Sequence, residues 1–526
     1  MARTKKKPNS NNGAPLDTKS MEQMLWDAAC QIRGEKDAPK FKDYILPLLF
    51  IKRLSDVFED ELNRLAEEFG DATTAREVVE ADHELVRFYI PPDCMWPVIH
   101  QTTTGLGQKL TDTVRAIAKT NPSLQGVIDT QDFNETRNGE REISDDALSR
   151  LIESFSDPRY RLGLNDVEPD FLGRCYEYLL RKFAEGSGQS AGEFFTPKEV
   201  GWLIARLLRP EPGMEAYDPC CGSAGLLIKL RLLLGQQAER DRARTLRLYG
   251  QELTASSYAI AMMNMIVHDM DGAILRGDTM RNPKHLDEQG GLKQFDLVAT
   301  NPMWNQKTFD AALYENDAFA RFAWGYAPDS SADWGWVQHV LASLNDTGRA
   351  AIVLDTGAVS RGSGNAGTNK EKEIRKAFVD RDVIEGIILL PDNLFYNTTA
   401  AGILLLLNRN KPERLKGKIV LVNAAREFQK GRPKNFLPDE SIARIVRVYH
   451  AADDVEKLVR VIANDEAVAN DFTLSPSRYI HTGAETEYRE IPELLAELTT
   501  LENEATKLDR ELKRIFSGLG FQWRTA

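Results

Sequence analysis

The side chains of this 526-residue chain that could do chemistry gather between positions 216 and 304. The stretch AYDPCCGSAGLL (216–227) reads as a strand end, then Asp218, a tight turn of small residues and the start of a helix. An α/β sheet builds a nucleotide-type site in this way at its carboxyl edge. Small residues let the backbone approach a ligand, and the helix N-terminus offers free N–H groups. The turn is not G-x-G-x-x-G and no Lys-Ser/Thr follows, so neither a dinucleotide fingerprint nor a phosphate loop fits. An ordinary strand–helix turn would look much the same, but three later strand ends argue against it. LRLYGQEL puts Glu252 where a carboxylate could accept from a ribose diol, and AILRGDTM puts Asp278 where one could accept from an adenine amino group. FDLVATNPMW puts Asn301, Pro302, Met303 and Trp304 directly after a strongly apolar strand. Polar groups at successive strand ends converge on one crevice.

Asn-Pro-x-aromatic after a strand has a specific use. An exocyclic amino group is a poor nucleophile because its lone pair is delocalised into the ring. The Asn301 side-chain oxygen and the Pro302 carbonyl are two acceptors that could hold both N–H bonds, pulling the nitrogen toward a tetrahedral shape. Trp304 offers a face for an extruded base. This chemistry needs no metal, and the scattered histidines, with no CxxC pair, suggest no metal site.

The elements that must position these groups are also legible. From about 196 onward, short apolar runs at 216–217, 246–249, 274–275, 295–299, 350–354, 384–390, 402–407 and 418–422 alternate with helical stretches at 198–208, 224–235 and 255–267. That alternation predicts an α/β fold with a doubly wound parallel sheet, its last two runs pairing as an antiparallel edge. Upstream, Leu25, Ala28, Ala29, Ile32 and Tyr44, Ile45, Leu48, Leu49, Ile51, Leu54 recur at three and four residues, which predicts a helical domain. DFLGRCYEYLLRKFAE adds a helix with Phe171, Leu172, Cys175, Tyr176, Leu179, Leu180 and Phe183 on one face. Near the end, Leu494, Leu498, Leu501, Ala505, Leu508, Leu512 and Ile515 keep an a/d heptad register. The expected layout is a basic tail at 1–15, a helical domain at 16–165, a Rossmann-like domain at 166–455 and a helical tail at 456–526.

Composition bounds the class. The formal net charge of -12 gives no long-range attraction for nucleic acid, so a partner or a local basic patch would have to supply it. Five cysteines, no apolar run long enough for a bilayer and no secretory h-region at the start point to a reducing cytoplasm and no membrane.

Taken together, EFFTP (193–197), DPCCGSAG (218–225), Glu252, Asp278 and NPMW (301–304) resemble an S-adenosylmethionine-dependent adenine-N6 DNA methyltransferase, in the motif order of the gamma group. YEYLLRKFA, SSADWGWVQH (330–339), RAAIVL and the helical flanks narrow the resemblance to the modification subunit of type I restriction-modification systems, over roughly 20–520. The resemblance implies that Glu193, Phe194, Phe195, Thr196, Pro197 and Lys198 wall the cofactor site. Asp218, Ser223, Ala224 and Gly225 would lie at the methionine end, Glu252 on the ribose and Asp278 on the adenine of S-adenosylmethionine. Asn301, Pro302 and Trp304 would hold the target base. It also implies double-stranded DNA, a separate specificity subunit (one per two copies of this chain) and a restriction/translocase subunit as partners.

The family usually reads N-P-P-F or N-P-P-Y, so Met303 and Trp304 depart from it, and Cys220 and Cys221 stand where small residues are usual. For the cysteines, packing as small hydrophobes is favoured over a redox pair. Protein-glutamine methylation, a silent scaffold and a subunit of another phage-defence system are the competing readings. The large flanks count against the first, and the intact Asp218, Glu252, Asp278 and Asn301 against the second. Ser330 and Asp333 predict a capping box for a helix at 334–344, with Trp334 and Trp336 structural or one facing the base pocket. The Gly-rich 361–370 segment reads as a solvated loop.

Overall fold

A computed structural model of the chain describes residues 18–32, 41–137, 140–184, 196–237, 246–307, 311–365, 367–395, 398–432, 434–481 and, near the C-terminus, 498–508, 510 and 512. The chain forms two compact units, Met1–Ile480 and His481–Ala526. The expected basic tail at 1–15 lies outside the described residues.

In the first unit, helices Thr18–Gln31, Phe41–Phe69, Leu106–Thr120, Asp145–Phe155 and Phe171–Ala184 enclose one apolar core. The periodic positions Leu25, Ala28, Ile32, Ile45, Leu48, Leu49 and Leu54 are all buried, as a helical stripe requires. Ser144 opens its helix by accepting from the Ala147 N–H at 3.1 Å. Ile260, Met263 and Val267, from the helix Ala255–Val267, belong to this same core, so the helical region and the sheet-bearing region share a helix.

The sheet has nine strands: β1 (Glu215–Asp218), β2 (Arg247–Glu252), β3 (Gly272–Arg276), β4 (Phe295–Thr300), β5 (Leu344–Asp355), β6 (Ile384–Leu389), β7 (Gly402–Asn408), β8 (Lys418–Asn423) and β9 (Val459–Ala463). Their order is β9-β8-β6-β7-β5-β4-β1-β2-β3. Helices Lys198–Leu208, Gly225–Gln237 and Ala255–Val267 pack on one face, Asp333–Ala342 and Lys370–Asp380 on the other. β1 to β5 run parallel, so their carboxyl ends share one edge.

Two expectations change. The runs 402–407 and 418–422 do not pair: β7 inserts antiparallel between β5 and β6, while β8 pairs parallel with β6. Every residue of β7 is buried, so both its faces need cover and it sits inside the sheet. The sheet also continues past 455, because β9 pairs antiparallel with β8. In its VRVIA sequence Val459 and Ile462 are buried while Arg460 and Ala463 are exposed, as suits a strand at the sheet's edge.

In the second unit, residues 498–508 are helical, with Leu498, Leu501, Leu508 and Leu512 exposed. Leu494 and Ile515 lie outside the described residues. No described helix is long and apolar enough to cross a membrane.

Candidate active site at the carboxyl edge of the sheet

Asp218, Glu252, Asp278 and Asn301, from the ends of four successive strands in the sequence, line one cavity of about 310 Å³. The turn between β1 and the helix Gly225–Gln237 is held open by left-handed backbone at Gly222 (φ 53°) and Ala224 (φ 64°). A side chain on Gly225 would run into the Asp170 carboxylate and have to displace it. Glu252 locks the turn from the next strand: Oε2 accepts from the Gly222 N–H at 3.0 Å and Oε1 from the Thr254 N–H at 2.8 Å.

Asp218 is buried, and accepts from Thr300 Oγ1 at 2.7 Å and the Cys220 N–H at 3.1 Å. Burial pushes its carboxyl up to about 7. Asp278, more open, accepts from the Met280 and Arg281 N–H groups. Cys220 Sγ lies 2.9 Å from Thr300 Oγ1, and burial pushes both Cys220 and Cys221 thiols well up. That is the setting of small packing side chains rather than of activated thiols.

Asn301 is fixed from two sides. Its Nδ2 donates to Thr196 Oγ1 at 3.0 Å, and its Oδ1 accepts from the Trp304 indole at 3.1 Å. Trp304 is itself buried, edge-on to Phe395 with ring centroids 4.8 Å apart. It thus sets the Asn301 rotamer and presents no open face, while Met303 and Trp336 line the cavity beside Asn301.

The structure therefore unites Thr196, Asp218, Ser223, Gly225, Glu252, Asp278 and Asn301 at one cavity. Ala224 contributes backbone to the turn. Pro197 and Lys198 open the helix Lys198–Leu208, and Lys198 pairs with Glu168 at 2.8 Å. Glu193, Phe194 and Phe195 lie outside the described residues.

Sequence reasoning missed two groups. Asp170 lines the cavity, accepting from Ser223 Oγ at 3.2 Å and Asn264 Nδ2 at 3.1 Å. Burial pushes its carboxyl up and the neighbouring Lys229 ammonium down, each countered by the other's charge. Its only sequence signal is an acid immediately before the apolar face of 171–183. The second is Arg361, in the segment expected to be a solvated loop. It pairs with Asp333, Asp355 and Glu371 and donates to Asn305 Oδ1 at 3.0 Å. Asp333 also accepts from the Asn305 N–H at 3.0 Å. The expected capping box does not form: Ala332 is the N-cap, and Asp333 braces the loop after NPMW instead. Trp334 is structural, its indole donating to the Ala358 carbonyl at 2.8 Å.

Comparison with known proteins agrees with this geometry. The N-6 DNA Methylase family model matches residues 167–488, and an HsdM N-terminal domain model matches 21–155. The type I restriction enzyme MjaVIII methylase subunit of Methanocaldococcus jannaschii is 33% identical over 93% of this chain and 84% of its own length. The HindI methylase subunit of Haemophilus influenzae is 31% identical, over 80% of this chain and 94% of its own. Among solved structures, the type I methyltransferase subunit of Streptococcus thermophilus superposes with a TM-score of 0.70 at 27% identity, covering 88% of this chain and 99% of its own. The chain belongs to the N-6 DNA methylases, as a methylase subunit of the type I restriction enzymes.

Proposed function

We propose that this chain transfers a methyl group from S-adenosylmethionine to N6 of an adenine turned out of duplex DNA, within a complex whose sequence specificity comes from a second chain. The observation that carries the reading is Asn301, an acceptor locked in one rotamer at the lip of a cavity with three strand-end carboxylates. The cavity fits the cofactor's chemistry. Its volume is at the small end of cofactor pockets, a side chain at Gly225 in its turn would have to displace Asp170, and its carboxylates suit a cationic ligand bearing hydroxyl and amino donors. Glu252 would take the ribose hydroxyls, Asp278 the adenine, and Asp218, Ser223 and Thr196 the methionine end. Bound there, the cofactor supplies an electrophilic methyl group on sulfur.

Asn301 Oδ1 keeps one lone pair beyond the indole contact. With the Pro302 carbonyl it would accept both N–H bonds of the target amino group. Trp304 holds the asparagine in place, and Trp336 and Met303 wall the base.

A pH dependence follows from Asp218. Its raised pKa means the ionised fraction grows as the pH rises through about 7. Affinity for the cationic cofactor should therefore rise from pH 6 toward 7.5, by at most about tenfold per unit, and Asp218→Asn should flatten the profile. Isothermal titration at several pH values checks this; an undiminished slope in the variant would assign the titration to another group. The sign for stability is opposite: this carboxyl contributes stability below about pH 4, and that contribution is lost as the pH rises through about 7.

The second unit supports the partner half of the reading. A helix with exposed Leu498, Leu501, Leu508 and Leu512 leaves an apolar seam in water, which a long helix of a specificity subunit would cover. Two copies of this chain per specificity subunit, joined by a restriction subunit, would complete the assembly. The test is co-purification from the native host, followed by methyl transfer to DNA. The wild-type complex should form N6-methyladenine site-specifically, and the isolated chain should not. Changing Leu501 and Leu508 together to Asp places charges in the seam. That variant should keep cofactor binding but lose the specificity subunit and, with it, site-specific methylation. Co-purification undiminished by the variant would refute the seam as the contact.

A further inference from the structure

A chain with a formal net charge of -12 must still hold a polyanion beside its cavity. Segment 426–436 has the local chemistry for this. Gln429 and Phe436 exchange two backbone hydrogen bonds, at 3.0 and 3.2 Å, closing a hairpin. Its turn needs Gly431, where a side chain would meet the Lys434 carbonyl. Arg426, Lys430 and Arg432 are exposed and pair with no carboxylate among the described residues. Glu427, the only acid in the segment, is taken by Arg444 at 2.8 Å. Phe428 stands between Arg426 and Lys430, and Phe436 follows Arg432 across the turn, 38% and 39% exposed.

The hairpin is seated on the loop that backs Trp304. Lys434 Nζ donates to Asn393 Oδ1 and the Thr398 carbonyl, both at 3.0 Å. Asn435 donates through its N–H to the Asn393 carbonyl and through Nδ2 to the Asp392 carbonyl. That same loop carries Phe395 against Trp304, whose indole holds Asn301.

We propose that the hairpin grips the DNA backbone beside the target base. Arg426, Lys430 and Arg432 hold phosphates flanking the extruded adenine, and Phe428 and Phe436 pack on sugars and on base faces uncovered when the adenine leaves the stack. This rests on the reading that the cavity takes an extruded adenine. Free cations interleaved with exposed aromatic rings match a phosphate backbone with unstacked bases. They do not match a partner helix, which would present a continuous apolar stripe to a continuous apolar groove.

The experiment uses the full-length chain in its assembled complex, with a labelled duplex holding one unpaired adenine, over a series of salt concentrations. Changing Arg426, Lys430 and Arg432 together to Gln should weaken DNA binding by about tenfold or more at low salt. It should also lower the slope of log affinity against log salt by about 3. Changing Phe428 and Phe436 to Ala should weaken binding with the slope unchanged. Cofactor affinity and subunit composition should match wild type in both. Wild-type affinity and slope in the triple variant would overturn the proposal. So would loss of a subunit with full DNA affinity in the complexes that remain, since the hairpin would then be a protein contact. If the unaltered complex fails to methylate adenine while the triple variant still loses salt-dependent binding, the cavity reading fails and the grip stands.

Discussion

Asn301→Ala should lower the rate of methyl transfer by at least about 10²–10³-fold, the usual cost of removing one preorganised polar partner of a transition state. Cofactor affinity should stay near wild type, because Glu252, Asp278 and Asp218 are untouched. The alanine removes the acceptor for the amino group and also strands two donors or acceptors: Thr196 Oγ1 loses its Asn301 partner, and the buried Trp304 indole loses its acceptor. Trp304→Phe separates these effects. It frees Asn301 Oδ1 from the indole at the cost of the rotamer lock, so its rate should fall less than in the alanine variant. Single-turnover transfer of a labelled methyl group to DNA, with cofactor affinity measured on the same samples, is the check. An Asn301→Ala enzyme retaining a tenth of the wild-type rate would contradict the mechanism.

Arg361→Met should cost the fold about 3–5 kcal/mol, the range for removing one partner from a buried ion network. The guanidinium is the shared partner of Asp333, Asp355 and Glu371; the side chain of Asp333 is fully buried and that of Glu371 4% exposed. Methionine fills the volume but leaves both carboxylates without their cation. Arg361→Lys should recover part of the loss, because an ammonium cannot reproduce the fork that reaches all three. Denaturant unfolding measures the cost; a loss below about 1 kcal/mol would mean the carboxylates are hydrated in the folded chain. The network also holds Asn305, four residues beyond Asn301, through Asp333 and Arg361. In the folded fraction of Arg361→Lys, the transfer rate should therefore fall further than cofactor affinity. A parallel fall in both would make the network a support of the whole fold with no particular hold on the base pocket.

The chain gains its affinity for DNA, in this reading, from local groups and from partner subunits. Acidic composition and DNA methylation are compatible because the Debye length at physiological salt is about 8 Å. Charges farther than that from a bound phosphate are largely screened, so exposed cations such as Arg426, Lys430 and Arg432 could act locally whatever the net charge.

What the sequence determined by itself is the chemistry and the elements that carry it. Asp218, Glu252, Asp278 and Asn301 were legible because strand ends and small-residue turns are written in adjacent residues. The helices 198–208 and 255–267 were legible because apolar spacing is a local property of one element. The tertiary structure alone decided which elements are neighbours. Nothing in GILLLL (402–407) distinguishes an inserted antiparallel strand from an edge, since burial on both faces depends on which strands and helices close over it. VRVIA at 459–463 read as part of a helical tail because five residues carry too little periodicity to reveal a strand until β8 offers it hydrogen bonds. Asp333 looked like half of a capping box, and its true partners, Arg361 and Asn305, lie 28 residues away on either side. Asp170 and Ser223 are 53 residues apart, and Lys434 of the Arg426–Phe436 hairpin meets Asn393, 41 residues before it. Such contacts are fixed by the close packing of distant segments, and a residue's type records that it is polar, not which distant group will satisfy it once water is excluded.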